Sequence, residues 1–194
     1  GAGEADLVVG CVGRLAAEKN LGVVLGAFEA IRAVQPAARL VLVGDGPLRG
    51  PLQMQCPHAI LVGQRTGEDL AAHYASIDLF IFPSLTETFG NVTTEAMASG
   101  LPVLAFDCAG AGQLIDSGCN GVLARRDDTE DLVRKAVELA ADRSLRRQLG
   151  RQARRTACAH DWDGVVARFE EVLDTVIARH SVLLPGQAEF PLTD

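Results

Sequence analysis

The sequence predicts an α/β protein with a doubly wound, mostly parallel sheet of six strands. Short apolar runs that end in Gly or Pro alternate with longer stretches whose apolar residues recur every three or four positions. The short runs lack the polar–apolar alternation of half-solvated strands, so we expect strands that are buried on both faces. Strands separated by helices form right-handed βαβ units. The predicted strands are Leu7–Val12, Leu40–Val43, Ile60–Val62, Leu79–Phe82, Pro102–Ala105 and Gly121–Leu123.

Helical periodicity predicts the crossovers. Leu21–Val34 is amphipathic, with Asn20 as its expected N-cap and Pro36 just beyond its end. Thr66 opens an arrangement similar to a capping box and predicts a helix over Gly67–Ser76.

After Gly121 the remaining periodicity is helical. It predicts helices over Thr129–Ala141, Ser144–Ala159 and Trp162–Ala178. In the last of them six apolar side chains are expected to face inward, namely Val165, Val166, Phe169, Val172, Leu173 and Val176.

Length and charge limit the possible functions. The 194 residues suit one domain, predicted over residues 1–180, with an irregular tail over 181–194. The formal charge of −7 argues against a nucleic-acid partner. No uncharged run reaches the ~18 apolar residues of a membrane span, and no export signal opens the chain. We therefore expect a cytoplasmic protein.

In a doubly wound sheet, ligands bind beyond the carboxyl ends of the strands, where the strand order reverses. The loop 13–20 follows the first strand and carries Arg14 and Lys19 just before a long helix. Both cations can face an anion such as phosphate at the helix N-terminus. The alternative, equally weighted from composition alone, is a solvated loop in which they pair with Glu18 or nearby acids.

The glycine-rich loop after the second strand, Gly44–Gly50, has neither the spacing nor the position of a dinucleotide fingerprint. Glycines that form a tight turn are the favoured interpretation there.

The most informative loop follows the fourth strand. Gly90 permits close backbone approach, and the amides of Asn91, Val92 and Thr93 begin a short helix whose first N–H groups could bind a phosphate. Glu87 precedes this helix.

The carboxylates of Glu87 and Glu95 are spaced so that they could accept hydrogen bonds from different hydroxyl-bearing parts of one extended ligand, a sugar and a ribose. In isolation, a solvated Glu87 and a Glu95 that favours the helix dipole are the simpler interpretation.

Metal and hydrolase chemistry lack support. The four histidines and five cysteines show no metal-ligand spacing, and no Gly-x-Ser-x-Gly elbow is present. We expect no metal and no cofactor.

Taken together, these motifs resemble the carboxy-terminal, nucleotide-sugar donor-binding domain of a group 1 (family four) retaining glycosyltransferase. Such enzymes have the two-domain GT-B architecture, in which each half is a Rossmann-like domain. The resemblance covers about residues 7–180, and Glu87 and Glu95 match the E-x7-E motif of the family. The motifs that carry it are Gly13-Arg14-Leu15, Glu18-Lys19-Asn20, Val43–Pro47, Pro83-Ser84, Glu87–Gly90, Glu95–Ala98 and Gly100-x-Pro102-Val103.

The resemblance implies roles for individual residues. Arg14 and Lys19 would bind the donor diphosphate, Glu87 would hold and orient the donor sugar, and Glu95 would accept hydrogen bonds from the ribose. The donor site would also include Gly13, Gln64, Arg65 and the backbone of Thr88, Phe89, Gly90 and Asn91, with Gln64 and Arg65 near the nucleobase. The catalytic residues would be Glu87, Arg14 and Lys19.

The family's amino-terminal acceptor domain is missing from this chain, so we expect the chain alone to bind donor nucleotide weakly and to transfer little sugar. The resemblance implies hexosyl transfer from a UDP- or GDP-sugar in glycan or glycolipid biosynthesis, with any membrane surface bound through the missing domain. Half of a sugar-nucleotide epimerase and a non-catalytic nucleotide-binding module are the alternatives.

Overall fold

The computed structural model describes residues 6–86, 90–160 and 162–183. By their contacts the residues form two units, 1–158 and 159–194. The first unit holds the sheet and seven of the described helices, and the second holds the final helix. The predicted extent of the domain, 1–180, stays a prediction.

The first unit is built on a parallel sheet. The described strands are β1 (Val8–Val12), β2 (Arg39–Val43), β3 (Ile60–Gly63), β4 (Leu79–Phe82), β5 (Val103–Phe106) and β6 (Val122–Ala124). Every strand pair is parallel, and the order is β3-β2-β1-β4-β5-β6. The strand order therefore reverses between β1 and β4, which confirms the predicted doubly wound sheet.

The central strands are fully buried. Every residue of β1, β4 and β5 is buried. Since successive side chains of a strand point to opposite faces, both faces of the sheet centre are covered. The edge strand β3 is only partly buried. The apolar runs thus predicted each strand to within one residue at either end.

The helices follow the prediction with two additions. They are α1 (Leu21–Val34), α2 (Arg49–Gln55), α3 (Gly67–Ala75), α4 (Asn91–Ala98), α5 (Ala109–Leu114), α6 (Thr129–Ala141), α7 (Arg143–Cys158) and α8 (Trp162–Leu183). The short helices α2 and α5 were not predicted, because seven and six residues are too few to show a helical period. None of the described helices is long and apolar enough to cross a membrane.

Two expected helix caps lie at the predicted N-cap positions but make no side-chain capping bond. Asn20 lies at the N-cap of α1 in the left-handed region, with φ of 52°, and its side chain makes no capping bond. Thr66 lies at the N-cap of α3, also without a side-chain capping bond. In both cases the helix forms as predicted, so the apolar face rather than the cap determines it.

The inward-facing stripe expected on α8 is also corrected. The six apolar side chains share one helical face as predicted, yet all are exposed, from 44% at Leu173 to 62% at Phe169. The periodicity identifies the helix correctly. It does not reveal whether a partner surface is present, and no described residue buries this face.

Helix α4 is fixed by close packing on α7. Gly150 of α7 lies against the backbone of Gly100, just after α4, and a Cβ added at Gly150 would lie 2.1 Å from the Gly100 carbonyl oxygen. Only glycine permits this approach.

We expect Gly150→Ala to lower the free energy of unfolding by about 1–3 kcal/mol, because the added methyl overlaps backbone that cannot move aside. Urea unfolding measures the loss. Gly26→Ala is the matched control, since nothing lies within 4 Å of a Cβ there; it should be neutral or stabilise by up to about 1 kcal/mol. Equal behaviour of the two variants would contradict the close packing.

Asp131 joins α6 to the end of β6. The side chain is 5% exposed and accepts hydrogen bonds from the Arg125 backbone N–H (2.8 Å), Lys135 Nζ (2.9 Å) and Arg134. These donors, the Arg125 amide foremost, hold the pKa of Asp131 well below its usual range.

We expect Asp131→Asn to destabilise the fold at pH 7. A depressed pKa contributes stability above the ordinary Asp pKa of about 3.9, and that stability is lost as the pH falls through the folded-state value. The stability gap between wild type and variant should therefore narrow below about pH 4. Urea unfolding at pH 7, 5 and 3 measures this gap.

Glu138→Gln is the control for Asp131→Asn, because Glu138 bonds the same Arg134 but is 59% exposed. Removing the Glu138 charge should change the free energy of unfolding by less than about 1 kcal/mol. A gap for Asp131→Asn that stays constant with pH would contradict the assignment.

Candidate functional site

The loops after β1 and β4 meet at the reversal of strand order. The Asn20 side-chain amide donates a hydrogen bond of 3.2 Å to the carbonyl oxygen of Pro83. The thiol of Cys108, after β5, lies 3.8 Å from the carbonyl oxygen of Ser84. Three loops at the carboxyl edge of the sheet are thus held together, as expected for the binding edge of such a sheet.

A cavity of about 410 Å³ opens between the loops that follow β1, β2 and β3. Its size is in the range of small-molecule sites, roughly 300–1,000 Å³. Its polar side chains include Arg14, Gln64 and Arg65, three of the residues predicted for the site. The complete lining is Val12, Gly13, Arg14, Val43, Gly44, Asp45, Gln64, Arg65 and Leu70.

The loops after β1 and β2 form one wall of the cavity through backbone contact. The amide of Leu15 donates to the carbonyl oxygen of Asp45, and the amide of Leu48 donates to that of Leu15, both at 2.9 Å. A Cβ at Gly44 would lie 1.9 Å from the Gly13 carbonyl oxygen. The glycines of the second loop therefore form the predicted tight turn, and Gly44 and Asp45 also line the cavity, which the sequence did not indicate.

The two predicted cations differ in environment. Arg14 is exposed and has no carboxylate within ion-pair distance in the described ranges, so it does not pair with Glu18. Lys19 is partly buried, with Nζ 5.5 Å from the centre of the Phe82 ring. Arg14 is thus available to an anionic ligand in the cavity.

Helix α4 begins as predicted. Gly90 is its N-cap residue. A Cβ added at Gly90 would lie 3.5 Å from the backbone of Gly110 in α5. The first intrahelical bond runs from the Thr94 amide to the Gly90 carbonyl oxygen, at 2.9 Å. The amides of Asn91, Val92 and Thr93 precede it, which is the arrangement that favours an anion.

Glu95 lies in the second turn of α4 and is held by a residue that sequence reasoning missed. The Tyr74 hydroxyl donates a hydrogen bond of 2.9 Å to Glu95 Oε2. Burial raises the pKa of Tyr74, and the bond to Glu95 raises it further. No spacing rule relates residues 74 and 95, so only the structure shows this pair.

The pair also links Glu95 to a helix that contributes to the cavity lining. Leu70, which lines the cavity, lies four residues before Tyr74 on α3, and residues four apart are neighbours on one helical face. Tyr74, which bonds the Glu95 carboxylate, is thus one helical turn along α3 from a residue of the cavity lining.

The predicted residues Glu87, Thr88 and Phe89 lie outside the described residues, and their roles stay predictions. Among residues 6–86, 90–160 and 162–183, no group of three or more His, Cys, Asp or Glu side chains could hold a metal ion. The expectation of chemistry without a metal likewise stays a prediction.

Comparison with known proteins decides the family. The family model described as glycosyl transferases group 1 matches residues 6–142. The chain belongs to the group 1 glycosyl transferases. The GDP-mannose-dependent alpha-mannosyltransferase of Corynebacterium glutamicum is 37% identical over 190 residues, which are 97% of this chain and 43% of that protein.

Two solved structures share the fold. Anabaena HepE, crystallised with UDP and glucose, superposes with a TM-score of 0.74 at 25% identity over 88% of this chain and 48% of that one. The C-terminal domain of the group 1 protein LpcC from Francisella tularensis gives a TM-score of 0.72 at 20% identity, covering 79% of this chain and 85% of that one.

These matches confirm a Rossmann-like domain of the GT-B type. This group 1 glycosyl transferase chain spans less than half the length of the curated relatives it matches.

Variants of Asn20 test the link between the first and fourth loops. We expect Asn20→Ala to lower the free energy of unfolding by about 2 kcal/mol, because the variant loses the hydrogen bond and alanine is strained in the left-handed backbone conformation. Asn20→Gly also loses the bond, but glycine tolerates the conformation, so the free energy of unfolding should fall by only about 1 kcal/mol. Urea unfolding compares the two, and an unchanged stability in both variants would contradict the link.

Proposed function

We propose that the chain is the donor-binding half of a retaining glycosyltransferase. It would transfer a hexose-type sugar from a nucleoside-diphosphate sugar to an acceptor hydroxyl. The observation that carries this proposal is the cavity at the carboxyl edge of the sheet, beside the loops that follow β1, β2 and β3, with Arg14, Gln64 and Arg65 in its lining.

The proposed binding mode combines the cavity lining with the roles that the family resemblance implies. Gln64 and Arg65 contact the nucleobase, and Glu95 accepts hydrogen bonds from the ribose. Arg14, Lys19 and the N-terminus of α4 bind the diphosphate, with Gly13 beside it. The backbone from Thr88 to Asn91, with Phe89 and Gly90, contacts sugar and phosphate, and Glu87 orients the sugar.

The proposed chemistry needs negative charge to be stabilised on the departing diphosphate. The bond between the anomeric carbon and the phosphate oxygen breaks, and the diphosphate leaves with its electron pair. Arg14, Lys19 and the helix N-terminus stabilise that charge, which is the role a divalent metal has in other sugar-nucleotide enzymes. The acceptor hydroxyl attacks from the same face, and its proton passes to the leaving phosphate. Glu87 orients and does not attack.

The acceptor side of the proposal lies beyond this chain. Since the chain spans 43% of the Corynebacterium relative, we propose that an amino-terminal domain supplies the acceptor site and the other wall of the cleft. The chain alone should then bind nucleotide weakly and transfer little or no sugar. We place the complete enzyme in the cytoplasm, with contact to a membrane surface only through that other domain.

The identity of the donor nucleobase is a separate part of the proposal. The Corynebacterium relative is named for GDP-mannose, whereas HepE was crystallised with UDP. A guanosine donor is therefore the first to test, with uridine as the comparison.

Calorimetric titration with GDP, UDP and ADP tests the binding half of this proposal. We expect selective binding of one nucleotide, weakened roughly tenfold or more by Arg14→Ala and by Glu95→Gln, because each removes a charge-assisted hydrogen bond worth about 1.5–3 kcal/mol. Arg147→Ala is the control, since Arg147 is an exposed arginine of α7.

Equal weakening by Arg147→Ala and Arg14→Ala would mean that binding is non-specific attraction to positive charge. No binding of any nucleotide by the chain would contradict the proposed donor site.

A further inference from the structure

Tyr74 is the chain's single tyrosine, and its side chain is 3% exposed. A phenylalanine would fill the same space, so the hydroxyl needs its own explanation. Burying a hydroxyl costs free energy unless it finds a partner, and here the partner is Oε2 of Glu95 at 2.9 Å.

The ring of Tyr74 is held by other aromatic rings. Its centroid lies 5.8 Å from that of Phe80, and the Phe80 centroid lies 6.0 Å from that of Phe82. Lys19 lies against the Phe82 ring, with Nζ 5.5 Å from the ring centre. We call Tyr74, Phe80 and Phe82 the aromatic row. One end of the row contacts Glu95 and the other contacts Lys19, two residues of the proposed donor site.

The aromatic row cannot shift easily. Phe80 is fully buried and Phe82 is 2% exposed, and both belong to β4 in the middle of the sheet. The Tyr74 hydroxyl is thus a fixed donor, whereas Glu95 is an exposed side chain with several rotamers to choose from. A fixed donor selects one of those rotamers.

We infer that Tyr74 is a positioning residue, whose hydroxyl fixes the Glu95 carboxylate in the orientation that receives the ribose hydroxyls of the donor. This inference rests on the proposed function. The Tyr74 bond occupies Oε2 and leaves Oε1 to accept from the ligand. Because Glu95 is held before the ligand arrives, less side-chain entropy is lost on binding.

The protonation state of Tyr74 suits this task. Its raised pKa keeps the hydroxyl protonated throughout the neutral and moderately alkaline range, so the phenol remains a donor wherever the enzyme works. A carboxylate with two oxygens is also the acceptor that can serve a fixed donor and a ligand at once.

The decisive variant is Tyr74→Phe, which removes only the hydroxyl. Titrations use GDP, UDP and their 2′-deoxy analogues, and the measured quantity is the affinity ratio of ribose to deoxyribose nucleotide. In wild type we expect a ratio of about ten for the nucleotide that binds, the value of one charge-assisted hydrogen bond. In Tyr74→Phe the ratio should fall to about two or three, with binding of the deoxy analogue unchanged.

Ser99→Ala is the matched control. The Ser99 hydroxyl donates to the backbone carbonyl oxygen of Glu95 at 2.9 Å, so this variant removes a hydroxyl bonded to the same residue without touching its carboxylate. It should keep the wild-type ratio. Urea unfolding of both variants confirms that each is folded at the assay temperature.

The outcomes separate the inference from the proposed function. Wild-type protein that binds neither GDP nor UDP overturns both. Wild-type protein that binds ribose and deoxyribose nucleotides equally leaves the donor site standing and overturns the inference. A wild-type ratio retained by Tyr74→Phe, or an equal weakening of both nucleotides, overturns the inference alone, because a merely structural hydroxyl would give one of these results.

Discussion

The reversal of strand order between β1 and β4 is the constraint on which the rest of this structure depends. The central strands are buried on both faces, so polar side chains can gather only where the strands end. At the reversal, the loops from β1 and β4 leave a gap at the carboxyl edge. The loop that carries Arg14 and Lys19 and the loop that begins at Pro83 come from different parts of the sequence, and the Asn20–Pro83 bond joins them there.

Most of the fold could be predicted because burial leaves a direct trace in the sequence. Continuous apolar runs identified β4 to the residue, and the three- and four-residue spacing identified α1 and α6 with their observed bounds. Arg14 was a candidate because loops after strands are where such a sheet binds ligands, whereas Gln64 and Arg65 were candidates because of the family resemblance. All three line the cavity. The face of α8 shows the limit of this reasoning, since a period reveals which residues share a side and not what covers them.

What the sequence could not predict depends on contacts between distant residues. The Tyr74–Glu95 bond joins two helices across 21 positions, and the Asn20–Pro83 bond joins two loops across 63. Asn20 shows how a local rule misleads: its residue type favours a helix cap, but its amide makes a bond to another loop instead. Local preference is weak where a long-range partner offers a hydrogen bond of similar strength.

The backbone bonds between the first two loops have a thermodynamic consequence. Leu15 donates a hydrogen bond to Asp45 and accepts one from Leu48, and Gly44 lies directly on Gly13, so backbone bonds of the protein itself fix this wall of the cavity. Ordering a free loop costs about 1–2 kcal/mol per residue. A ligand that binds along this wall does not have to order the loop. The free energy of its hydrogen bonds therefore contributes to affinity without that ordering cost.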